Sequence, residues 1–139
     1  MTQEHYRAAI AAFDQANAED PNTEMADGKK YPKELLYAQR MSEMQERYAP
    51  GASETLKLAV RAQHIQRWKI PRGDYSMDKP GYMLWRTTLY KFHAGTAGNL
   101  MKEAGYDDDM IARVKSIVSK KELKTDPETQ MMEDVVDLV

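Results

Sequence analysis

Met110, Ile111, Val114, Ile117 and Val118 recur at three- and four-residue spacing, the period of one buried helix face. The chain repeats this period along its length. It nowhere shows the alternating β-branched run of a half-buried strand. A chain built this way must bury helix stripes against one another, and its 139 residues suffice for one core. The sequence therefore predicts an all-α fold, a single compact bundle of about six helices spanning residues 1–139.

The helices are delimited by their punctuation. Tyr6, Ala9, Ile10 and Phe13 mark a first helix from about Gln3 to Glu19, with Thr2 placed to cap it and Asp20-Pro21 to end it. The segment from Asn22 to Tyr31, with Gly28, reads as loop. Pro32 suits the first turn of a second helix, about Pro32 to Tyr48, which carries Leu35, Leu36, Met41 and Met44. Pro50-Gly51 breaks the chain, and Ser53 caps a third helix expected to run past Gln63-His64 to about Trp68. A loop from Ile70 to Pro80 precedes a long fourth helix, about Gly81 to Ala104, in which Gly95 and Gly98 suggest a kink or a close crossing. Gly105 stops it and Asp107 caps the fifth, whose last turn holds Lys120 and Lys121; these, with Lys124, read as a solvated end. Asp126-Pro127 opens the sixth, which ends in an apolar run without a stop signal. The chain is therefore expected either to be shortened at its C-terminus or to dock that end in a partner.

Composition narrows the chemistry. Cysteine is absent, so disulfides, thiolate nucleophiles and cysteine–metal sites are excluded. A net charge of -2 without a long basic run argues against wholesale electrostatic binding of nucleic acid. The first thirteen residues lack the apolar core of a secretory signal, and no stretch approaches a membrane span, so a cytoplasmic chain without a membrane partner is expected.

Candidate functional residues stand out where ionisable groups fall on faces that the apolar pattern marks as buried. Leu56, Val60 and Gln63-His64 share one helix face. An imidazole there is either a metal ligand or general acid/base, or a structural group bonded to a carbonyl. His93 follows Leu89 by one turn, and Asp134 follows Met131 beside Val135. The three come from three helices and would make a metal site if they converge. Gln39 and Arg40 continue the Leu35-Leu36 stripe and are candidate companions. A second constellation interleaves Arg67, Arg72 and Arg86 with Trp68, Tyr82 and Trp85, a pattern that suits phosphate held by arginine forks or simple aromatic packing under a loop.

The runs QHIQRWKIPR and GYMLWR, with YPKELLYAQRMSE, GYDDDMIARV and KKELKTDPETQMMEDV, resemble the domain-of-unknown-function family 4202 over nearly the whole chain. Some members carry a glutamyl-tRNA-synthetase-like name, but neither synthetase signature motif is present here. More distantly, the layout is similar to HD-type metal phosphohydrolases. That likeness implies an HD-like helical fold and a divalent metal (Mn, Fe, Ni or Zn) held by His64, His93 and Asp134. The pattern departs where the HD pair would stand, since this chain has Gln63-His64 there and Gln39-Arg40 near the position of the first histidine. The resulting expectation is a metal-dependent hydrolase of a phosphate-bearing small molecule or nucleotide. His64, Glu133 and Asp137 would be its catalytic candidates, with Gln39, Arg40, Gln63, Arg67, Arg72, Tyr82 and Arg86 around the substrate. The alternatives are a nucleotide- or RNA-binding module that has lost the metal, and a structural interaction domain.

Overall fold

The computed structural model describes residues 2–120 and 126–139. The side chain of Thr2, proposed as a cap, and the lysines Lys121 and Lys124 lie outside the described residues. Six α-helices account for most of the described chain: α1 (Thr2–Ala18), α2 (Lys33–Tyr48), α3 (Glu54–Ala62), α4 (Lys79–Ala104), α5 (Asp108–Val118) and α6 (Pro127–Leu138). The all-α expectation holds, with one addition. The segment expected as loop before α2 is an antiparallel hairpin, β1 (Thr23–Ala26) and β2 (Lys29–Pro32), in register Ala26 opposite Lys29. Its turn is Asp27-Gly28, both at positive φ (51° and 78°), which is what a two-residue hairpin turn of the right twist demands. Among the described residues no helix is long and apolar enough to cross a membrane.

α3 lies at the centre, with Thr55, Leu56, Leu58, Ala59, Val60 and Ala62 all buried, as a helix enclosed on nearly every side must be. It packs against α1, α2, α5 and α6, and α4 closes the bundle over α1 and α5. Its few charges are matched: the Arg61 fork donates to both Asp14 oxygens (2.8 and 2.7 Å), and Tyr106 donates to Glu54 at 2.6 Å. The start of α6 is stapled to its neighbours in the same way. Asp126 caps α6 and receives the Arg113 fork from α5, and Glu128 accepts from Arg113 and from Ser53 at the start of α3.

Helix α3 ends at Ala62, well short of Trp68. The cause is Gln66, held in the left-handed region at φ 53° because its backbone N–H donates to Asn17 Oδ1 at 2.9 Å. The chain then leaves the helix axis through a 3-10 turn at Arg67–Lys69, and a second such turn, Arg72–Asp74, lies inside the expected loop. Gln63 and His64 therefore sit where α3 gives way to a turn, and not within it.

Helix α4 begins at Lys79, capped by Asp78, which accepts from Gly81 N at 2.8 Å. Its buried stripe, Trp85, Leu89, His93, Ala97 and Met101, steps by one turn each time. Gly98 marks a close crossing: an added methyl would meet Lys115 Cδ at 3.0 Å and Ile111 Cγ2 at 3.2 Å. Gly95 faces open space.

Candidate functional site

A cavity of about 310 Å³ opens between the end of α3, the first half of α4, the end of α5 and α6. Its polar lining is Gln63, His64, Arg67, Arg86, His93, Lys120 and Glu133, with Leu89, Val118 and Val136 as apolar wall. The elements reach it in different ways: His93 belongs to the buried stripe of α4 itself, whereas Glu133 stands beside the buried Met132 on α6.

His93 is the best-defined group. It is 2% exposed, and its Nδ1 lies 2.8 Å from the Ile65 carbonyl. A carbonyl only accepts, so Nδ1 carries the proton and Nε2 keeps its lone pair. Burial is the main reason its pKa falls to about 4, with Arg67 and Lys120 adding repulsion, so the ring is neutral near pH 7. His64 stacks on Tyr37 (centroids 4.5 Å apart, 11° between planes) and stands 6.0 Å from the His93 ring. Burial, followed by repulsion from Arg67, holds it well below the ordinary histidine range.

Gln63 is only 4% exposed, and Tyr37 donates to its Oε1 at 3.2 Å, which turns the amide NH₂ away from Tyr37. Burial lifts the Tyr37 phenol to about 12, so it remains a donor. Lys120, itself at a left-handed φ of 58°, brings Nζ to 2.6 Å from Glu133 Oε1 and lies over the Tyr90 ring. The Lys120–Glu133 contact is a charge contact more than an aligned hydrogen bond, and among the described residues Oε1 has no other donor.

Two arginines complete the lining. Arg67 stacks over Trp85 with Cζ 5.3 Å from the ring centre, and among the described residues it has no carboxylate within ion-pairing distance. Arg86 donates to the Tyr82 hydroxyl at 2.7 Å and to the Tyr90 hydroxyl, again without a carboxylate. Among the described residues the cavity thus holds three cations and one carboxylate.

The other proposed site residues fall elsewhere. Asp134 accepts from Gln130 at 3.1 Å and faces Tyr48, away from the cavity, and Asp137 is exposed. His64 and His93 are thus brought together, with Glu133 and not Asp134 beside them. Among the described residues no three His, Asp or Glu side chains converge as a metal-binding set. Arg72 donates to the Ser76 carbonyl at 2.9 Å and the Tyr75 carbonyl at 3.3 Å, and it packs near Trp85 and Tyr82. It braces the loop and is not part of the lining. Trp85 is buried, donates to the Ile70 carbonyl at 2.8 Å and has both Arg67 and Arg72 near its ring. Gln39 is half-buried on α2 outside the cavity, and Arg40 pairs with Glu24 at 2.7 Å.

The sequence reading missed Glu34, Tyr37, Tyr90 and Lys120. Glu34 and Tyr37 stand one turn apart on α2 beside the buried Leu36, a signal of the same kind that singled out His93. Lys120 gave no such signal, since its direction depends on a backbone turn.

A family model for a domain of unknown function, DUF4202, matches residues 7–139. The chain belongs to the DUF4202 family. No curated protein and no solved structure matches it. In this DUF4202 chain the two arginine-bearing runs that carry the family resemblance, QHIQRWKIPR and GYMLWR, contribute Gln63, His64, Arg67, Tyr82, Trp85 and Arg86 to one cavity.

Proposed function

We propose that the cavity takes a phosphate-bearing small molecule, nucleotides included, and that hydrolysis of its phosphate ester is the reaction it serves. The observation that supports this is the pairing of two carboxylate-free arginines and Lys120 with one carboxylate, Glu133, around two neutral imidazoles. Arginine forks suit phosphate oxygens, and a partly desolvated cluster of cations makes an anion welcome. Within this reading His93 Nε2 is the base: a water hydrogen-bonded to it would lose a proton there as its oxygen bonds phosphorus and the ester bond breaks, the departing alkoxide taking its proton from solvent. His64 is the second acid/base candidate.

A divalent metal belongs to the HD-type version of this reading. The donors present do not suit one, because Glu133 is engaged by Lys120 and Asp134 points elsewhere. A second reading, nucleotide or RNA binding without turnover, draws on the same cations and on the missing ligand set.

Titration calorimetry with inorganic phosphate and adenosine monophosphate tests the binding half. Arg67→Gln should weaken both about tenfold, the loss expected for one charge-assisted contact. Equal affinities for variant and wild type would sink the assignment of the phosphate to this cavity. Phosphate release from a panel of monoesters tests the chemistry: His93→Gln should slow it by about a hundredfold. Binding without release would favour the second reading. Because a base must be unprotonated and His93 titrates near 4, activity should hold down to about pH 5 and fall as pH drops through 4. An acid limb centred near 6.5 would exclude His93 as the base.

A further inference from the structure

Beside the main cavity lies a second recess of about 290 Å³, separated from it only by His64 and Arg67, which line both. Glu34 and Tyr37 line its inner side, with Lys33, Arg40 and Glu24 nearer the rim. The Glu34 side chain is 11% exposed, yet its carboxylate accepts no hydrogen bond among the described residues. Among the described residues the one basic group within ion-pairing distance is His64, whose Nδ1 stands 3.9 Å away, too far for a hydrogen bond. That imidazole is neutral near pH 7 and supplies no charge, while Arg67 and Lys33 act on the carboxylate only from beyond ion-pairing distance. A carboxylate this sheltered and without donors calls for donors from outside the chain.

We infer that Glu34 forms a second subsite that accepts hydrogen bonds from hydroxyl groups of a ligand whose phosphate lies in the main cavity. The inference rests on the phosphate reading above and extends it to a substrate class: a polyhydroxylated phosphate ester, such as a sugar phosphate or the ribose of a nucleotide. Neutral donors fit better than an ammonium group, because Lys33, Arg40 and Arg67 share the recess and would repel a cation. A carboxylate can accept from two neighbouring hydroxyls at once, the same chemistry by which acidic residues read ribose in dinucleotide sites. Tyr37 donates to Gln63 and Arg40 Nη1 to Glu24, which leaves Glu34 as the sheltered carboxylate of this recess without a hydrogen-bond donor among the described residues.

Calorimetry of the full chain with three probes tests it: inorganic phosphate, adenosine monophosphate and its dideoxy analogue, which lacks both ribose hydroxyls. The wild type should prefer the hydroxylated nucleotide about tenfold, as expected for hydrogen bonds to a charged group. Glu34→Gln should erase that preference and leave the affinity for inorganic phosphate unchanged. If the wild type binds phosphate but treats both nucleotides alike, the Glu34 subsite is wrong and the phosphate reading stands. A preference that survives in Glu34→Gln overturns it as well. If no probe binds, both proposals fall together.

Discussion

Gly81→Ala is expected to destabilise the chain by about 3 kcal/mol, the upper end of the range for forcing a methyl into a packed site. A Cβ built on Gly81 would stand 2.1 Å from the Ser76 carbonyl oxygen and 2.3 Å from its Oγ. The hydroxyl can rotate away, but the carbonyl belongs to backbone that Arg72 holds at 2.9 Å. Relief would therefore require the Ser76–Asp78 turn to move, and with it the cap of α4. A drop of roughly 10 °C in the melting midpoint is expected for a chain of this size. Gly95→Ala is the internal control. It lies in the same helix with nothing near its would-be methyl, and should gain about 1 kcal/mol from helix propensity alone. A Gly81→Ala protein melting with the wild type would show that the approach of Ser76 is not obligatory.

Arg113→Ala should cost about 2–3 kcal/mol. Its fork joins Asp126 (2.7 Å from Nη2) and Glu128 (2.8 Å), and truncation leaves two carboxylates facing each other at the start of α6. The figure lies below that for a wholly buried pair because the Arg113 side chain is 34% exposed and partly screened by water. The loss has a pH signature. Hydrogen bonds from Arg113 hold the Asp126 carboxyl far below the usual range. A depressed carboxyl contributes stability above its unfolded value, about 3.9, and loses it as pH falls towards the folded one. Urea unfolding at pH 7 and pH 3 should find the gap between wild type and variant narrower at the lower pH. A gap of the same size at both would mean that packing of the arginine stem, and not its charge, is what the mutation removes.

The helices were legible because their ends are written locally. Ser53, Asp107 and Asp126 cap where expected, and Gly105 stops α4 in the left-handed conformation. The hairpin reads as loop although Asp27-Gly28 marks its turn, because its strands are only four residues each and half exposed, so no alternation of apolar residues accompanies the turn. The early end of α3 was not legible, because it depends on Asn17, forty-nine residues away, drawing off the Gln66 N–H. The candidate site divides along the same line. Gln63, His64 and His93 could be singled out from their own helix stripes. Choosing between Glu133 and Asp134 needs the rotation of α6: Thr129, Met132 and Val135 face the core, which turns Glu133 to the cavity and Asp134 towards Tyr48. Both residues sit beside apolar neighbours in sequence, so pattern alone leaves them equivalent. The arginines divide by the loop that carries them. Arg67 and Arg86 reach the cavity, whereas Arg72 is held by carbonyls only a few residues away.

Ile65 has two tasks that cannot be varied independently. Its side chain is fully enclosed in the bundle, and its carbonyl decides which nitrogen of His93 carries the proton. Anything that shifts this residue, even a remote repacking beneath α3, also rewrites the tautomer in the cavity. Variants selected only for thermal resilience would then differ in which His93 nitrogen keeps its lone pair, without any cavity residue having changed. The most informative neutral-looking substitutions in this chain are accordingly those that touch Ile65 from behind.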